Sequence, residues 1–191
     1  MTEDRRAKWN QRHAAAPDLG EVALVLRRNP HLLPPQGQVL DLACGRGANA
    51  LWLAERGLQV RAWDYAETAI ARLRDAAAQR ALRVDADVRD VLADPPSPSS
   101  LDAILVSHFL ERQLAPALMA ALRPGGRLFY QTFTREGAGE VGPSNPAFRL
   151  GANELLALFA PLQLRYYRED GAADDGSGSA GLAMLVGERR A

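Results

Sequence analysis

The chain opens polar: residues 2–15 are Ala-rich and read as a helix that carries Trp9. A second short helix is expected over 21–28 (EVALVLRR). It stops before Asn29-Pro30, because a residue ahead of proline is pushed out of the helical region. From Gln38 the pattern changes to short apolar runs alternating with longer amphipathic ones. The runs predict strands over 39–43, 59–63, 82–86, 103–107 and 127–132. The amphipathic stretches predict helices over 48–56, 67–80 and about 112–122. Strands that are apolar throughout and alternate with helices indicate a parallel sheet covered on both faces, an α/β doubly wound core.

Past Thr134 the pattern breaks into a Gly/Pro-rich loop, REGAGEVGPSNPAFRLG, and a helix is expected over 152–159. Two β-prone pieces follow, 163–168 and 181–187, joined by the loose stretch EDGAADDGSGSAG. A pair connected in this way is expected as an antiparallel hairpin at one sheet edge. DPPSPSS, residues 94–100, reads as a surface loop before the fourth strand. Neither a repeat nor a composition break interrupts the chain. One domain is expected: an N-terminal helical lid, 1–36, over a Rossmann-like core, 37–191.

Composition changes the picture mainly by exclusion. The 191 residues are 47% apolar, enough for a sizeable core. Net charge is zero and no basic cluster stands out, which argues against a nucleic-acid partner. Lys8 is the only lysine, so Schiff-base or P-loop lysine chemistry has almost no candidate. Cys44 stands alone and His13, His31 and His108 are far apart, which excludes a disulfide framework within the chain and disfavours a metal site. The charged N-terminus lacks the apolar core of a signal peptide, and no apolar run reaches the roughly 18 residues of a membrane span. A cytoplasmic protein with no membrane partner is expected.

The candidate chemistry lies at the carboxyl ends of the strands, where open α/β sheets bind ligands. The first strand ends around Asp41 and opens into a loop of small residues, Ala43 to Gly47. That loop continues as Gly45-Arg46-Gly47-Ala48-Asn49-Ala50, a G-x-G-x-x-A pattern. Asp41, Asp64 and Asp87 follow one another at intervals of 23 residues, one βα unit each, so three acids from successive strands face one crevice. Small residues at a helix start let an anionic group approach backbone N–H groups. An acid ending the second strand can accept both hydroxyls of a ribose, and an acid after the third can accept from the amine of adenine. An adenosine with a compact charged tail satisfies all three. A dinucleotide and S-adenosylmethionine both qualify; Asp41 near the latter's ammonium group makes chemical sense.

The stretch VLDLACGRGANALWLAERGLQVRAWDYAETAIARL resembles motif I and the following strand of class I S-adenosylmethionine-dependent methyltransferases. LRPGGRLFYQTF is similar to the Pro-Gly-Gly turn those enzymes carry before strand five. KWNQRHA and GPSNPAFRLGANELLALF resemble the tellurite-resistance and thiopurine methyltransferase-like group, and the likeness covers about residues 8–186. The resemblance implies a mostly parallel seven-stranded sheet with an antiparallel last strand. It also implies S-adenosylmethionine as cofactor and a small-molecule methyl acceptor such as a thiol or a tellurium or selenium oxyanion.

Carried over residue by residue, the resemblance has Asp41, Ala43, Cys44 and Gly45 line the methionine end of the cofactor, with Cys44 a packing residue. Asp64 with Tyr65 would hold the ribose, Asp87 and Val88 would flank the adenine, and Ser107-His108 would lie beside the methyl group. Ala43 replaces the first glycine of the family's D-x-G-x-G-x-G, an exchange expected to shift the cofactor outward. His108 is the candidate general base where an acceptor needs one. Trp9 is a candidate for closing over the cofactor, and Arg112 and Arg149 are candidates for an anionic acceptor.

Three rivals remain. A nicotinamide-dependent oxidoreductase shares the glycine loop, but the chain shows neither a catalytic domain nor a Tyr-x-x-x-Lys pattern. Asp94-Pro95-Pro96 imitates the Asp-Pro-Pro motif of amino-group methylation of nucleic acids. That motif closes strand four, where this chain has VSHF instead. The third rival is a cofactor-binding module without turnover. An acceptor pocket filled by the 136–150 loop would mark the module, and an open one the enzyme.

Overall fold

The computed structural model describes residues 3–136, 141–173, 176 and 178–190. Its helices are α1 (Glu3–Ala15), α2 (Leu24–Arg28), α3 (Ala48–Ala54), α4 (Glu67–Gln79), α5 (Ala115–Ala121) and α6 (Glu154–Leu158). Its strands are β1 (Gln38–Leu42), β2 (Gln59–Asp64), β3 (Val84–Val88), β4 (Leu101–Ser107), β5 (Leu122–Phe133), β6 (Gln163–Glu169) and β7 (Leu182–Glu188). The seven strands form one sheet in the order β3-β2-β1-β4-β5-β7-β6. β1 to β5 pair in parallel, and β7 lies antiparallel between β5 and β6. The expected hairpin is therefore present, folded so that its second strand lies inside the sheet.

Alternation along each strand divides the core into two layers. Val39, Val60, Ala62, Ala103, Leu105, Met184 and Val186 pack with residues of α2, α3 and α4. Leu40, Leu42, Ile104, Val106, Leu128, Ala183 and Leu185 pack on the other face with α5 and α6. Strands buried on both sides explain the unbroken apolar runs. On that parity Asp41 belongs with Val39, on the face covered by α2 and α3. No helix of the described residues is long and apolar enough to cross a membrane.

Three of the differences from the expected element bounds have a clear local reason. Residues 21–23 are not helical: the Ala23 amide is taken by the Asn49 side chain at 2.8 Å, so α2 starts only at Leu24. The helix expected from 112 opens with a 3₁₀ turn over 112–114 and ends at Ala121. Leu122 then pairs with Leu101, and the register shifts across Pro124-Gly125-Gly126 before Arg127 meets Ala103. The chain thus enters β5 five residues early through an irregular segment that the proline and glycines obscure.

Candidate active site

The turn after β1 is built from left-handed backbone. Ala43, Gly45 and Gly47 all have positive φ, at 55°, 54° and 88°. Gly47 is required sterically, since a methyl there would collide with the Leu73 side chain of α4. It is the third kind of glycine in such a loop, the one that lets helix and sheet approach closely. Ala43 adopts a conformation that costs an L-residue roughly 1–2 kcal/mol. That is a physical reason for glycine being usual at the position.

Asp41, one residue inside the end of β1, is fully buried, and neither carboxylate oxygen has a hydrogen-bond partner. Burial, reinforced by the nearby Asp64 charge, pushes its pKa up to about 8. The Ala50 amide acts in the opposite sense without meeting hydrogen-bond geometry. An orphaned buried carboxylate is costly, and an ammonium group with its three donors is the chemistry that relieves it. The residues present therefore fit the amino-acid end of S-adenosylmethionine. Cys44 is buried beside these acids, and burial followed by the Asp41 and Asp64 charges drives its thiol pKa upward. A thiol so disfavoured as thiolate packs rather than attacks.

Asp64 ends β2 and is 8% exposed. One carboxylate oxygen accepts from the Gly45 amide and the other from the Ala66 amide, both at 2.8 Å. Desolvation raises its pKa against those hydrogen bonds. Each oxygen retains a lone pair, so hydroxyl donors can still be accepted. Tyr65 follows under the Arg6 guanidinium, 4.6 Å from its ring centroid. Asp87 and Val88 end β3 in the open, Asp87 paired loosely with Arg74 at 3.8 Å and Val88 41% exposed. An exposed valine beside a carboxylate suits a flat heteroaromatic ring with an amine. Asp41, Asp64 and Asp87 thus end neighbouring strands, in the order β3-β2-β1, along one sheet edge.

Ser107 ends β4, beside β1, and His108 follows it. His108 also has positive φ, 56°, and its ring stacks on Phe133 at 4.9 Å. Gln131 Oε1 accepts from the Val25 amide at 2.9 Å, so its amide nitrogen is the group 3.2 Å from His108 Nε2. That assigns Nε2 as acceptor and Nδ1 as the protonated nitrogen, which donates to Ser107 Oγ at 3.2 Å. Burial lowers the ring's pKa, so it is neutral with its lone pair engaged. A cavity of about 410 Å³ opens beside it, lined by Leu24, Phe133, Val141 and Leu182 as well as His108 and Gln131.

The two arginines expected to meet an anionic acceptor are committed elsewhere. Arg112 makes two hydrogen bonds to Glu154 and donates to the carbonyls of Ala147 and Arg149. Arg149, 3% exposed, donates to the carbonyls of Pro143, Thr134 and Val141. Both tie down the segment after β5, a correction whose cause is the supply of backbone carbonyls in an irregular loop.

Trp9 is half exposed on α1 and stacks on His13, centroids 5.7 Å apart. His13, which sequence reasoning passed over, is 8% exposed and lies over the glycine turn. A methyl on Gly45 would stand 3.5 Å from its Cε1. The helix reaches this position through Asn10, which accepts the Thr68 amide at 3.0 Å, and Arg72, which donates to the His13 and Ala16 carbonyls. Its other end is tied by Arg5, 3.6 Å from Glu111 and 5.2 Å from the Phe148 ring centroid. Trp9 and His13 are spaced i, i+4 on one helix face, a signal legible only once the partner surface is known.

Residues 39–126 match the protein-family model described as Methyltransferase domain. The ubiquinone biosynthesis O-methyltransferase of Idiomarina loihiensis is 34% identical over 105 residues, which cover 51% of this chain and 43% of that one. The probable S-adenosyl-L-methionine-dependent methyltransferase TehB of Haemophilus influenzae is 30% identical over 88 residues, 45% of this chain and 31% of that protein. The crystal structure of TehB from that organism superposes with a TM-score of 0.71 at 22% identity, covering 87% of this chain and 61% of that one. A structure from work on converting a disulfide bond into a thioacetal group in echinomycin biosynthesis has a TM-score of 0.73 at 25% identity. It covers 100% of this chain and 92% of that one. The chain spans less than half the length of the two curated relatives.

Proposed function

We propose that the chain is a class I S-adenosylmethionine-dependent methyltransferase that transfers a methyl group to a small acceptor, a thiol or a tellurium or selenium oxyanion. The observation that carries the reading is Asp41, a buried carboxylate without hydrogen bonds beside a turn of left-handed backbone. Asp41 takes the ammonium, Asp64 with Tyr65 the ribose, and Asp87 with Val88 the adenine. Ala43, Cys44 and Gly45 pack the methionine end, and Ser107 stands near the reacting carbon. When bound, S-adenosylmethionine supplies an activated methyl on a sulfonium, ready for in-line displacement.

The chain's own share is to position the acceptor and exclude water. The cavity beside His108 is mostly apolar, and Val141 of the 136–150 loop lines it rather than filling it. Among the described residues the pocket stands open, which favours an enzyme over a binding module. His108 spends its Nε2 lone pair on Gln131, so it orders the pocket floor and is a poor proton acceptor. An acceptor that ionises unaided, such as a thiol or a chalcogen oxyanion, suits such a site. The likeness to an O-methyltransferase keeps a hydroxyl acceptor as a second reading; Phe133 would stack an aromatic one such as a phenol.

Calorimetric titration with S-adenosylmethionine, S-adenosylhomocysteine and NAD tests the cofactor. Micromolar binding of the first two is expected, and binding of NAD alone would sink the proposal. Turnover of thiols and tellurite against phenols then separates the two acceptor classes.

A further inference from the structure

His13 is a second buried group at the crevice with an unmet bond. Its Nδ1 has no hydrogen-bond partner, although more than nine-tenths of the residue is buried. Such an atom is costly to bury if nothing meets it. The ring needs neither nitrogen to hold its place. Trp9 stacks on it, Arg72 binds its carbonyl, and the helix is pinned by Asn10 on the Thr68 amide. Arg6, Asn10 and His13 lie along one stripe of α1, set against the 64–68 turn by Arg6 over Tyr65 and by that Asn10 bond. The ring therefore sits where the glycine turn and the acid ending β2 meet.

We propose that His13 is a cofactor-binding residue whose Nδ1 hydrogen-bonds a ribose hydroxyl of S-adenosylmethionine, the same sugar that Asp64 accepts. The inference rests on the methyltransferase reading above. A hydroxyl both donates and accepts, so it pairs with a neutral imidazole in either tautomer. Burial keeps His13 neutral, outweighing the Asp64 charge, with Arg46, Arg12 and Arg72 adding to the effect. The helix thereby becomes part of the binding site, contributing a polar contact as well as cover.

Calorimetry on the full chain tests this with S-adenosylhomocysteine and its 2′-deoxy and 3′-deoxyribose analogues. His13→Phe keeps the stacked ring and removes both nitrogens; His13→Met serves if the phenyl ring prevents folding, as thermal melts will tell. His13→Phe is expected to weaken S-adenosylhomocysteine about tenfold, yet to bind one of the two deoxy analogues as the wild type does. His13→Asn, whose amide places a polar atom near the Nδ1 position, recovers most of the loss. Equal weakening of all three ligands, or no weakening, would overturn the assignment and leave His13 a packing residue. Wild-type protein that binds none of the three would overturn the cofactor reading itself, a result distinct from a variant without effect.

Discussion

Asp64 at the end of β2 accepts the backbone amide of Gly45, in the turn after β1, at 2.8 Å. One carboxylate thus closes the neighbouring strand's glycine turn while its other oxygen starts its own loop through Ala66. The acid proposed to take the ribose is also what shapes the turn proposed to lie beneath the methionine end.

Replacing Asp64 should therefore damage structure and binding together. Asp64→Ala leaves one buried and one partly buried amide unpaired and is expected to lower stability by about 2–4 kcal/mol and abolish S-adenosylhomocysteine binding. Asp64→Asn turns an NH₂ toward one of the same amides and should recover only part of the stability. Urea unfolding beside calorimetry checks both; unchanged stability in Asp64→Ala would contradict the dual role.

Asp41 should make the ligand-free protein sensitive to pH. In the unfolded chain an aspartate ionises near 4, whereas in the fold Asp41 does so at about 8. Between those values the folded protein keeps a proton that the unfolded chain has lost. Stability from this residue thus falls as pH rises from about 4 to about 8, by at most about 1.4 kcal/mol per unit, and is flat outside that window. Asp41→Asn should flatten the profile and exceed the wild type in stability at pH 8, while binding S-adenosylmethionine far more weakly. Melting curves across pH provide the check, and identical profiles would refute it.

Ala43→Gly should stabilise the protein. Its φ of 55° strains alanine and not glycine, and the added freedom of glycine in the unfolded chain takes back part of the gain. A net gain of up to about 1 kcal/mol would raise Tm by about 2–4 °C. Cofactor affinity should rise as well, if the alanine methyl shifts the ligand outward. A lower Tm would show that the methyl is needed for packing.

Arg112→Ala should act on stability before binding. It strands Glu154, whose pKa the guanidinium holds down, and frees two loop carbonyls. A loss of about 2–3 kcal/mol is expected, with faster proteolysis near residues 141–154 and unchanged affinity for S-adenosylhomocysteine. Unaltered stability with a raised acceptor KM would instead restore Arg112 as a substrate ligand.

The strand ends were the legible part of the chain. Asp41, Asp64 and Asp87 recur with the period of a βα unit, and an apolar run betrays its own end, so their convergence follows from topology. His13 could not be found in that way. It sits on a polar helix with no apolar stripe, and its importance arises from docking on α4, a contact between residues more than fifty positions apart. Arg112 and Arg149 failed for a related reason. Their main partners are backbone carbonyls of an irregular loop, and carbonyls are identical in every residue, so the sequence carries no mark of them.

The insertion of β7 between β5 and β6 also bears on how the protein is made. β6 touches no other strand of the sheet, so it has no ladder to join until residues 182–188 have been synthesised. During translation β5 waits with one open edge while β6 emerges, and that exposed ladder is where a nascent chain would pair wrongly with a neighbour. Completion of the sheet is thus set by the arrival of β7 rather than by the cofactor-binding half, whose strands β1 to β4 can pair much earlier.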